Sequence, residues 1–251
     1  REWFHPVPSL LDASSRWHFE DMISVAFMRP LGHGPDMAIV DVFWSFRSPY
    51  SYLATRRLRD LADKWDVEVR PRPVYPIAIR TPDFFATIRP QWTPYLLRDI
   101  FRLSQYLGLP MGRPDPDPVV MNMATREISD DQPHIGRLTR LGVLACETGN
   151  AEGWAFLDEV STLIWSGAPW TEGDQLKQAA QRAGFDLDDL DRRQSDEKDR
   201  LEAVIEANQD EQEPYHWGVP LMVYEEEAFF GQDRLDLLEW RLKQSGIKRK
   251  A

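Results

Sequence analysis

The sequence predicts an α/β fold in which a sheet-containing domain is interrupted by an all-helical insertion. Three observations lead to this prediction. An apolar run over residues 38–46 has the character of a strand, and a helical segment and a second, alternating strand follow it after short joints. Residues 90–212 are then helical in pattern, and two further strands and a helix close the chain. We therefore expect the order β-α-β, a helical block, and β-β-α.

The first strand turns directly into a helix. Ser48 is a good N-cap residue, Pro49 suits the first helical turn, and the segment YLATRRLRDLADKW continues with helical spacing. Such a turn leaves backbone N–H groups that point at whatever occupies it, which makes a natural anion site. The segment VEVRPRPVY follows as an alternating strand, so these three elements form a right-handed crossover unit.

Glycine and proline residues mark the boundaries of the later elements. Four glycines stand where a left-handed residue is expected to end a helix: Gly108, Gly149, Gly167 and Gly184. The Pro-rich segment of residues 113–122 predicts a loop. After Trp217, two apolar segments joined by an acidic turn predict a hairpin, and an amphipathic helix is expected from Asp233 onward.

These boundaries divide the chain into three parts. Residues 38–83 and 213–251 together form the sheet-containing domain, and residues 84–212 form the inserted helical domain. Residues 1–37 form an N-terminal extension to which the sequence assigns no role, and a helix is expected within it over residues 13–28.

Composition narrows the classes of function. The net charge of −11 argues against a nucleic acid or an anionic membrane surface as the main partner. The sequence has no apolar run of about 18 residues, so we expect no membrane-spanning segment. Cys146 is the only cysteine, which excludes an intrachain disulfide and favours a cytoplasmic location, and its apolar helix predicts an inert core thiol. His134 and His216 are isolated from other ligand-type residues, so no metal site is expected.

The predicted order of elements is the thioredoxin-like arrangement. In that arrangement the turn after the first strand normally carries Cys-x-x-Cys. Here the four residues are Ser48, Pro49, Tyr50 and Ser51, so both cysteine positions are serine. Dithiol–disulfide exchange is impossible without thiols, which excludes a DsbA-like oxidoreductase. Any reactive sulfur at this turn must come from a bound ligand.

Three segments carry a resemblance to a known family. The segment FWSFRSPYSYLA at 43–54 is similar to the SPY(S/A)YLA start of the 2-hydroxychromene-2-carboxylate isomerases, and residues 217–242 are similar to that family's GVP…FxGQDRLDLLE ending. Residues 95–110 resemble the family's helix and loop in the same order, so the resemblance covers about residues 38–245. It implies a DsbA-like thioredoxin fold related to the kappa-class glutathione transferases, glutathione as cofactor, an aromatic small-molecule substrate from a degradation route, and a homodimer.

The resemblance also implies roles for particular residues. The Ser48 hydroxyl would hold the glutathione sulfur as a thiolate, a task that suits a donor at a helix N-terminus. The Val219 backbone, before a cis Pro220, would pair with the cysteinyl backbone of glutathione, and Asp233 and Arg234 would hold its γ-glutamyl end. Glutathione would add reversibly to the substrate, a carbon–carbon bond would rotate, and glutathione would leave.

The pocket for the substrate is predicted less directly. Arg47 lies beside the thiolate position, where it could lower the thiolate pKa, bind a substrate carboxylate or point to solvent. Tyr50 belongs to the same turn. Aromatic residues from the helical block could line a pocket for an aromatic substrate, and one or two of five candidates are expected to do so: Trp92, Tyr95, Tyr106, Trp165 and Trp170.

Two alternatives stay open from the sequence. One is a kappa-class-like glutathione transferase, which would consume glutathione. The other is a non-catalytic thioredoxin-like module that serves binding or assembly. Its support is that residues 80–93 lack the asparagine that the resemblance leads us to expect as a glutathione contact after the second strand.

Overall fold

A computed structural model describes residues 37–122, 125 and 127–250 of the chain. The helix expected over residues 13–28, and the rest of the N-terminal extension before residue 37, lie outside the described residues. The described residues belong to one compact unit.

Four strands form one sheet in the order β2-β1-β3-β4. The strands are β1 (Ala38–Trp44), β2 (Val67–Pro73), β3 (Leu221–Tyr224) and β4 (Glu227–Phe230). Strand β2 is parallel to β1, whereas β3 is antiparallel to β1 and β4 is antiparallel to β3. The sheet confirms the predicted β-α-β and β-β-α halves and the thioredoxin-like fold.

Helices fill the rest of the described chain. The helix after β1 is α1 (Pro49–Lys64), and between β2 and β3 lie α2 (Ile77–Arg80), α3 (Phe84–Thr87), α4 (Trp92–Leu107), α5 (Pro133–Thr148), α6 (Asn150–Trp165), α7 (Gln175–Arg182), α8 (Leu187–Asp196) and α9 (Lys198–Gln212). After β4 a 3-10 turn (Gln232–Arg234) leads into α10 (Leu235–Gln244), so the last helix begins two residues later than predicted. Within the described residues, no helix has the length and apolar character that a membrane crossing requires.

The glycine prediction holds at three of its four positions. Gly108, Gly167 and Gly184 have φ values of +66°, +81° and +89°, as left-handed helix ends require. Gly149 has a φ of 163°, which is extended backbone, so the expectation of a left-handed residue was wrong there. The side chain of Glu152 fills the space instead, because a Cβ at Gly149 would lie 2.2 Å from its Oε2 atom.

The helical block and the sheet share one hydrophobic core, in which residues of β1 and α1 pack with those of α5 and α6. Helices α5 and α6 pack closely at Gly153, where a Cβ would lie 2.8 Å from the Cα atom of Cys146. Burial at this crossing raises the pKa of the Cys146 thiol. Cys146 is half-buried against the core, so the predicted core position holds in part and its lack of reactivity stays a prediction.

Candidate functional site

The Ser48 hydroxyl joins the two halves of the thioredoxin-like domain. Ser48 is the N-cap of α1, and its Oγ atom accepts a hydrogen bond from the Ser51 N–H at 3.1 Å, as the sequence predicts. The same hydroxyl donates to the carbonyl oxygen of Val219 at 3.1 Å. The Val219–Pro220 peptide bond is cis, as the resemblance implies. The structure thus brings three of the predicted site residues together at the start of α1.

A buried tryptophan fixes the first turn of α1. The indole N–H of Trp44, at the end of β1, lies 3.0 Å both from the Ser51 carbonyl oxygen and from the hydroxyl of Thr55. Trp44 is completely buried. The buried indole joins β1 to the first turns of α1, and Ser51 in that turn is bonded to Ser48. The position of Ser48 is therefore fixed by contacts in the core.

One first-turn amide of α1 remains available at this site. Pro49 has no N–H, and the N–H of Ser51 is capped by Ser48. Within the part of the chain that the structure describes, the Tyr50 N–H has no hydrogen-bond partner. An anion at this turn would meet the Tyr50 amide at the positive end of a 16-residue helix.

The Tyr50 side chain points to α4. Its phenol donates a hydrogen bond to Oδ2 of Asp99 at 2.8 Å. Burial raises the pKa of Tyr50, and the hydrogen bond to Asp99 raises it further. The phenol therefore stays protonated at neutral pH, so it can donate a hydrogen bond but cannot act as a base.

Asp233 and Arg234 lie on the 3-10 turn that follows β4. Arg234 Nη1 is 2.9 Å from Asp233 Oδ2, and both side chains are exposed. Arg57 of α1 anchors this turn, since its Nη1 atom donates to the Gln232 carbonyl oxygen at 2.9 Å. Asp233 is close enough to Tyr50 for its charge to raise the phenol's pKa. The predicted pair thus lies near the start of α1 with both charges accessible.

Arg47 is half-buried and held in an ion pair. Its guanidinium forms a two-pronged ion pair with Asp117 of the Pro-rich loop, with Nη2 to Oδ2 at 2.6 Å. Its Cζ atom also lies 5.6 Å from the centre of the Trp165 ring. The alternative in which Arg47 points to solvent is therefore wrong. Because Asp117 already matches its charge, Arg47 is less suited to lower the pKa of a bound thiolate or to bind a substrate carboxylate.

The Pro-rich loop is attached to the core by further side chains. The Tyr52 phenol donates to the Pro110 carbonyl oxygen at 2.7 Å, and the Trp170 indole donates to that of Pro116 at 2.8 Å. The Trp165 indole donates to the Phe46 carbonyl oxygen at 3.0 Å. We call Arg47, Asp117, Trp165 and Trp170, with loop residues 110–119, the loop cluster. Trp165 and Trp170 are 3% and 1% exposed, so they belong to the core.

Trp92, another predicted pocket residue, belongs to a second group of rings. Neighbouring ring centres in this group are 3.8–6.2 Å apart. We call it the aromatic cluster: Phe84, Phe85, Trp92, His216, Trp217 and Phe230. Trp217 and Phe230 remain 48% and 41% exposed.

Two members of the aromatic cluster, His216 and Trp217, lie just before the cis Val219–Pro220 bond in the sequence. His216 and Phe230 stack over Gly218, where a Cβ would lie 2.4 Å from Phe230 Cε2. Sequence reasoning missed His216, Trp217 and Phe230 as site neighbours. The signal that could have found them is the position of Trp217 immediately before the GVP motif.

A separate groove lies on the exposed face of α4. Its volume is about 390 Å³, and it is lined by Leu97, Arg98, Phe101, Arg102 and Gln105. None of the residues predicted for the site lines it. Tyr95 and Tyr106, two of the aromatic candidates, are exposed on this helix.

Comparisons with known proteins agree with this geometry. The profile of the DSBA-like thioredoxin domain matches residues 39–243. No curated protein sequence matches the chain. A solved 2-hydroxychromene-2-carboxylate isomerase is 24% identical with a TM-score of 0.60, covering 82% of this chain and 95% of that chain.

Two further solved structures are similar in fold. A probable DsbA oxidoreductase from Streptomyces coelicolor is 16% identical with a TM-score of 0.56, covering 83% of this chain and 89% of that one. The cytosolic disulfide reductase DsbM from Pseudomonas aeruginosa, solved with GSH, is 16% identical with a TM-score of 0.50, covering 82% and 99%. At these identities the likeness shows the fold alone.

Proposed function

The chain belongs to the DSBA-like thioredoxin domain family, and we propose that it is a glutathione-dependent isomerase of an aromatic compound similar to 2-hydroxychromene-2-carboxylate. One observation carries the proposal. The Ser48 hydroxyl lies at the start of α1, 3.1 Å from the carbonyl oxygen of the residue before cis Pro220, in a turn that contains no thiol. This is the position at which an incoming thiolate would meet a hydroxyl donor and the positive end of a helix.

The chain's own cysteine does not supply the sulfur. Cys146 is half-buried on α5, where it packs against Gly153 of α6, and burial raises the pKa of its thiol. Both positions of the turn that could carry a thiol, residues 48 and 51, are serine. A ligand thiol is therefore needed, and glutathione is the ligand that the DsbM structure's own description names for that protein.

The residues present fit glutathione. When bound, glutathione would supply the nucleophilic sulfur that adds to the substrate and leaves after a carbon–carbon bond has rotated. Ser48 would turn its hydroxyl from the Val219 carbonyl to the sulfur, and the Tyr50 N–H would add a second donor. The Val219 backbone would pair with the peptide. Asp233 would take the γ-glutamyl ammonium, and Arg234 the carboxylate beside it.

A kappa-class-like transferase would use the same residues. The two functions differ in stoichiometry, because a transferase consumes glutathione whereas the isomerase returns it. Ultraviolet spectra recorded with 2-hydroxychromene-2-carboxylate, together with a count of free thiol, separate them. A non-catalytic module would fail to bind glutathione at millimolar concentration, and calorimetric titration tests that alternative.

The assembly and location remain proposals. A homodimer is supported by Leu237 and Trp240, two exposed apolar residues three positions apart on one face of α10. Light scattering of the wild type and of Trp240→Glu tests it, because the variant should be monomeric at equal concentration. A cytoplasmic location rests on the single cysteine.

The direct test is Ser48→Ala. Removing one donor to a developing thiolate should cost about 2–4 kcal/mol, or roughly 30- to 1000-fold in turnover. Because the variant also loses the N-cap of α1, Ser48→Asp should be measured beside it. Asp keeps the cap but cannot donate to the sulfur and adds a like charge, so the protein should stay folded and inactive.

Ser51→Ala is the matched control. Its buried hydroxyl has no hydrogen-bond partner within the described residues, so its loss should leave turnover within a few-fold. If Ser48→Ala retains turnover within a few-fold as well, Ser48 is a helix cap only and the proposed mechanism is wrong.

A further inference from the structure

Arg80, at the end of α2, is a nearly buried cation without a well-placed carboxylate. Its side chain is 12% exposed, and Nη1 donates to Gln212 Oε1 at 2.7 Å and to the Trp217 carbonyl oxygen at 3.3 Å. Within the described residues its nearest carboxylate is that of Glu213, 3.8 Å from Nη2 on a side chain that is 78% exposed. Burial lowers the pKa of Arg80. Within the described residues, this charge is therefore largely removed from water and only loosely paired.

Other half-buried arginines of the chain are matched closely. The Arg140 side chain is 14% exposed, and its Nη1 atom lies 2.6 Å from Glu202 Oε1. Arg137 pairs with Asp191 at 2.5 Å. Since desolvation of a poorly matched charge costs several kcal/mol, the loose pairing of Arg80 contrasts with these two close pairs and indicates a place for an anion.

The backbone that this cation holds carries one ring of the aromatic cluster. Arg80 holds the backbone of Trp217, whose ring lies 4.9 Å from that of Phe84 and 6.2 Å from that of Phe230. Trp217 and Phe230 both stack on His216 and remain 48% and 41% exposed, so part of each ring can still contact a ligand. A guanidinium that holds the backbone of a partly exposed aromatic cluster suits a planar aromatic acid, which offers one carboxylate and one apolar ring system.

This group lies close to the Ser48 turn. Arg80 binds the carbonyl oxygen of Trp217, and Ser48 binds that of Val219, two residues further along the chain. Two residues span at most about 7 Å between their Cα atoms. A bicyclic aromatic acid held at Arg80 could therefore reach the reacting position at Ser48.

We propose that Arg80 and the aromatic cluster bind the carboxylate and the rings of an aromatic acid. Nε and Nη2 of Arg80 would donate to the carboxylate, and the exposed rings of Trp217 and Phe230 would contact the ligand's apolar faces. The inference deepens the proposed isomerase function, because it names the residue that would hold the substrate's carboxylate. Arg47, the residue first considered for this role, is already paired with Asp117.

The test uses 2-naphthoate and its neutral analogue 2-naphthamide, titrated calorimetrically into the full chain without glutathione. The wild type should bind the acid more tightly than the amide. Arg80→Gln should lower the affinity for 2-naphthoate roughly ten- to hundredfold, the usual range for a lost charge-assisted hydrogen bond. It should leave the affinity for 2-naphthamide within about twofold of the wild-type value. Arg80→Lys should recover part of the loss because it keeps the charge. Arg192→Gln, which removes an exposed arginine of α8, is the control and should bind both ligands as the wild type does.

Three outcomes would overturn the inference. An unchanged affinity for 2-naphthoate in Arg80→Gln would show that the carboxylate binds elsewhere. An equal loss for the acid and the amide would show that Arg80 only supports Gln212 and Trp217. In a separate titration with glutathione, a loss of glutathione affinity in Arg80→Gln with 2-naphthoate binding unaffected would assign the cation to a carboxylate of glutathione.

The same experiment separates this inference from the proposed function. The titration contains no glutathione, so it does not depend on turnover. If 2-naphthoate affinity depends on Arg80 but no isomerase activity is found, only the proposed function fails. If the isomerase is active but its affinity for 2-naphthoate does not depend on Arg80, only this inference fails.

Discussion

The loop cluster and the aromatic cluster both reach the Ser48 turn, but they differ in how completely their polar groups are paired. In the loop cluster Arg47 has a two-pronged carboxylate partner, and the indoles of Trp165 and Trp170 donate to backbone carbonyls in the core. In the aromatic cluster Trp217 is half exposed, and the carboxylate nearest to the neighbouring Arg80 within the described residues is that of the exposed Glu213, 3.8 Å away. Paired and buried groups stabilise a fold, whereas open and unmatched groups remain available to a ligand. Of the two arginines near this site, Arg47 is adjacent in sequence to Ser48, yet its ion pair with Asp117 serves the fold. Arg80 is the arginine whose charge is left for a ligand.

The largest expected effect is a difference in stability between two tryptophan-to-alanine variants, one in each cluster. Trp170→Ala removes a ring that is 1% exposed and leaves the Pro116 carbonyl without its indole donor. We expect it to lower the free energy of unfolding by about 3–5 kcal/mol. Trp217→Ala removes a half-exposed ring and should cost about 1 kcal/mol or less. Urea unfolding followed by circular dichroism measures both.

Binding should show the opposite order. Trp217→Ala should lower the affinities for 2-naphthoate and 2-naphthamide by similar factors, because both ligands lose the same ring contact. Trp170→Ala should leave both affinities unchanged under conditions where the variant is folded. If Trp217→Ala instead destabilises the protein as much as Trp170→Ala does, the aromatic cluster is part of the core and the distinction between the clusters fails.

The elements of the fold could be predicted because their signals are local. The cap at Ser48, the proline after it and the alternating pattern of β2 each act within a few residues, so the order of elements along the chain and the start of α1 follow from the sequence. Gly149 shows the limit of such signals. A glycine after a helix usually marks a left-handed residue, but here the neighbouring Glu152 side chain fills the space in which a Cβ would stand.

The site was predictable only in part, because its second half depends on packing between distant segments. Ser48 and Val219 are 171 positions apart, and the motifs around them suggested their meeting. Nothing near Arg47 in sequence indicates that Asp117 will neutralise it, 70 positions away. Likewise, Arg80 meets Gln212 and Trp217 only because α2 and the end of α9 pack together, which no local pattern specifies.

A double-mutant cycle sharpens the comparison within the loop cluster. Arg47→Gln and Asp117→Asn should each lower the free energy of unfolding by about 1–3 kcal/mol, because each leaves a half-buried charge unmatched. The double variant should cost less than the sum of the two, which shows that the groups interact directly. Chemical unfolding of the four proteins gives the coupling energy.

The cycle also has a binding readout. Arg47→Gln should leave 2-naphthoate affinity within about twofold, in contrast to the roughly tenfold or greater loss expected for Arg80→Gln. A comparable loss in both variants would return Arg47 to the substrate site, and strictly additive stability losses would show that the ion pair contributes little.

The smallest expected effect is the pH dependence of two histidines, His216 in the aromatic cluster and His134 beside Trp170 of the loop cluster. Burial lowers the pKa of His216, and also that of His134, whose ring lies 5.4 Å from that of Trp170. Nδ1 of His216 accepts a hydrogen bond from the Gly218 N–H at 2.9 Å, and a proton on that nitrogen would break the bond. Because the folded pKa lies below the unfolded value, the contribution of His216 to stability is present above the unfolded value of 6.5 and is lost as the pH falls through the folded pKa.

An NMR titration can follow this loss residue by residue. The His216 imidazole should titrate below its ordinary pKa of 6.5, and the Gly218 amide signal should move with the same midpoint. His216→Gln should abolish the movement of the Gly218 signal, whereas His134→Gln should not affect it. A His216 pKa at or above 6.5 would mean that the bond to Gly218 does not favour the neutral ring. In that case His216 would not hold the backbone between Trp217 and Val219 through this bond.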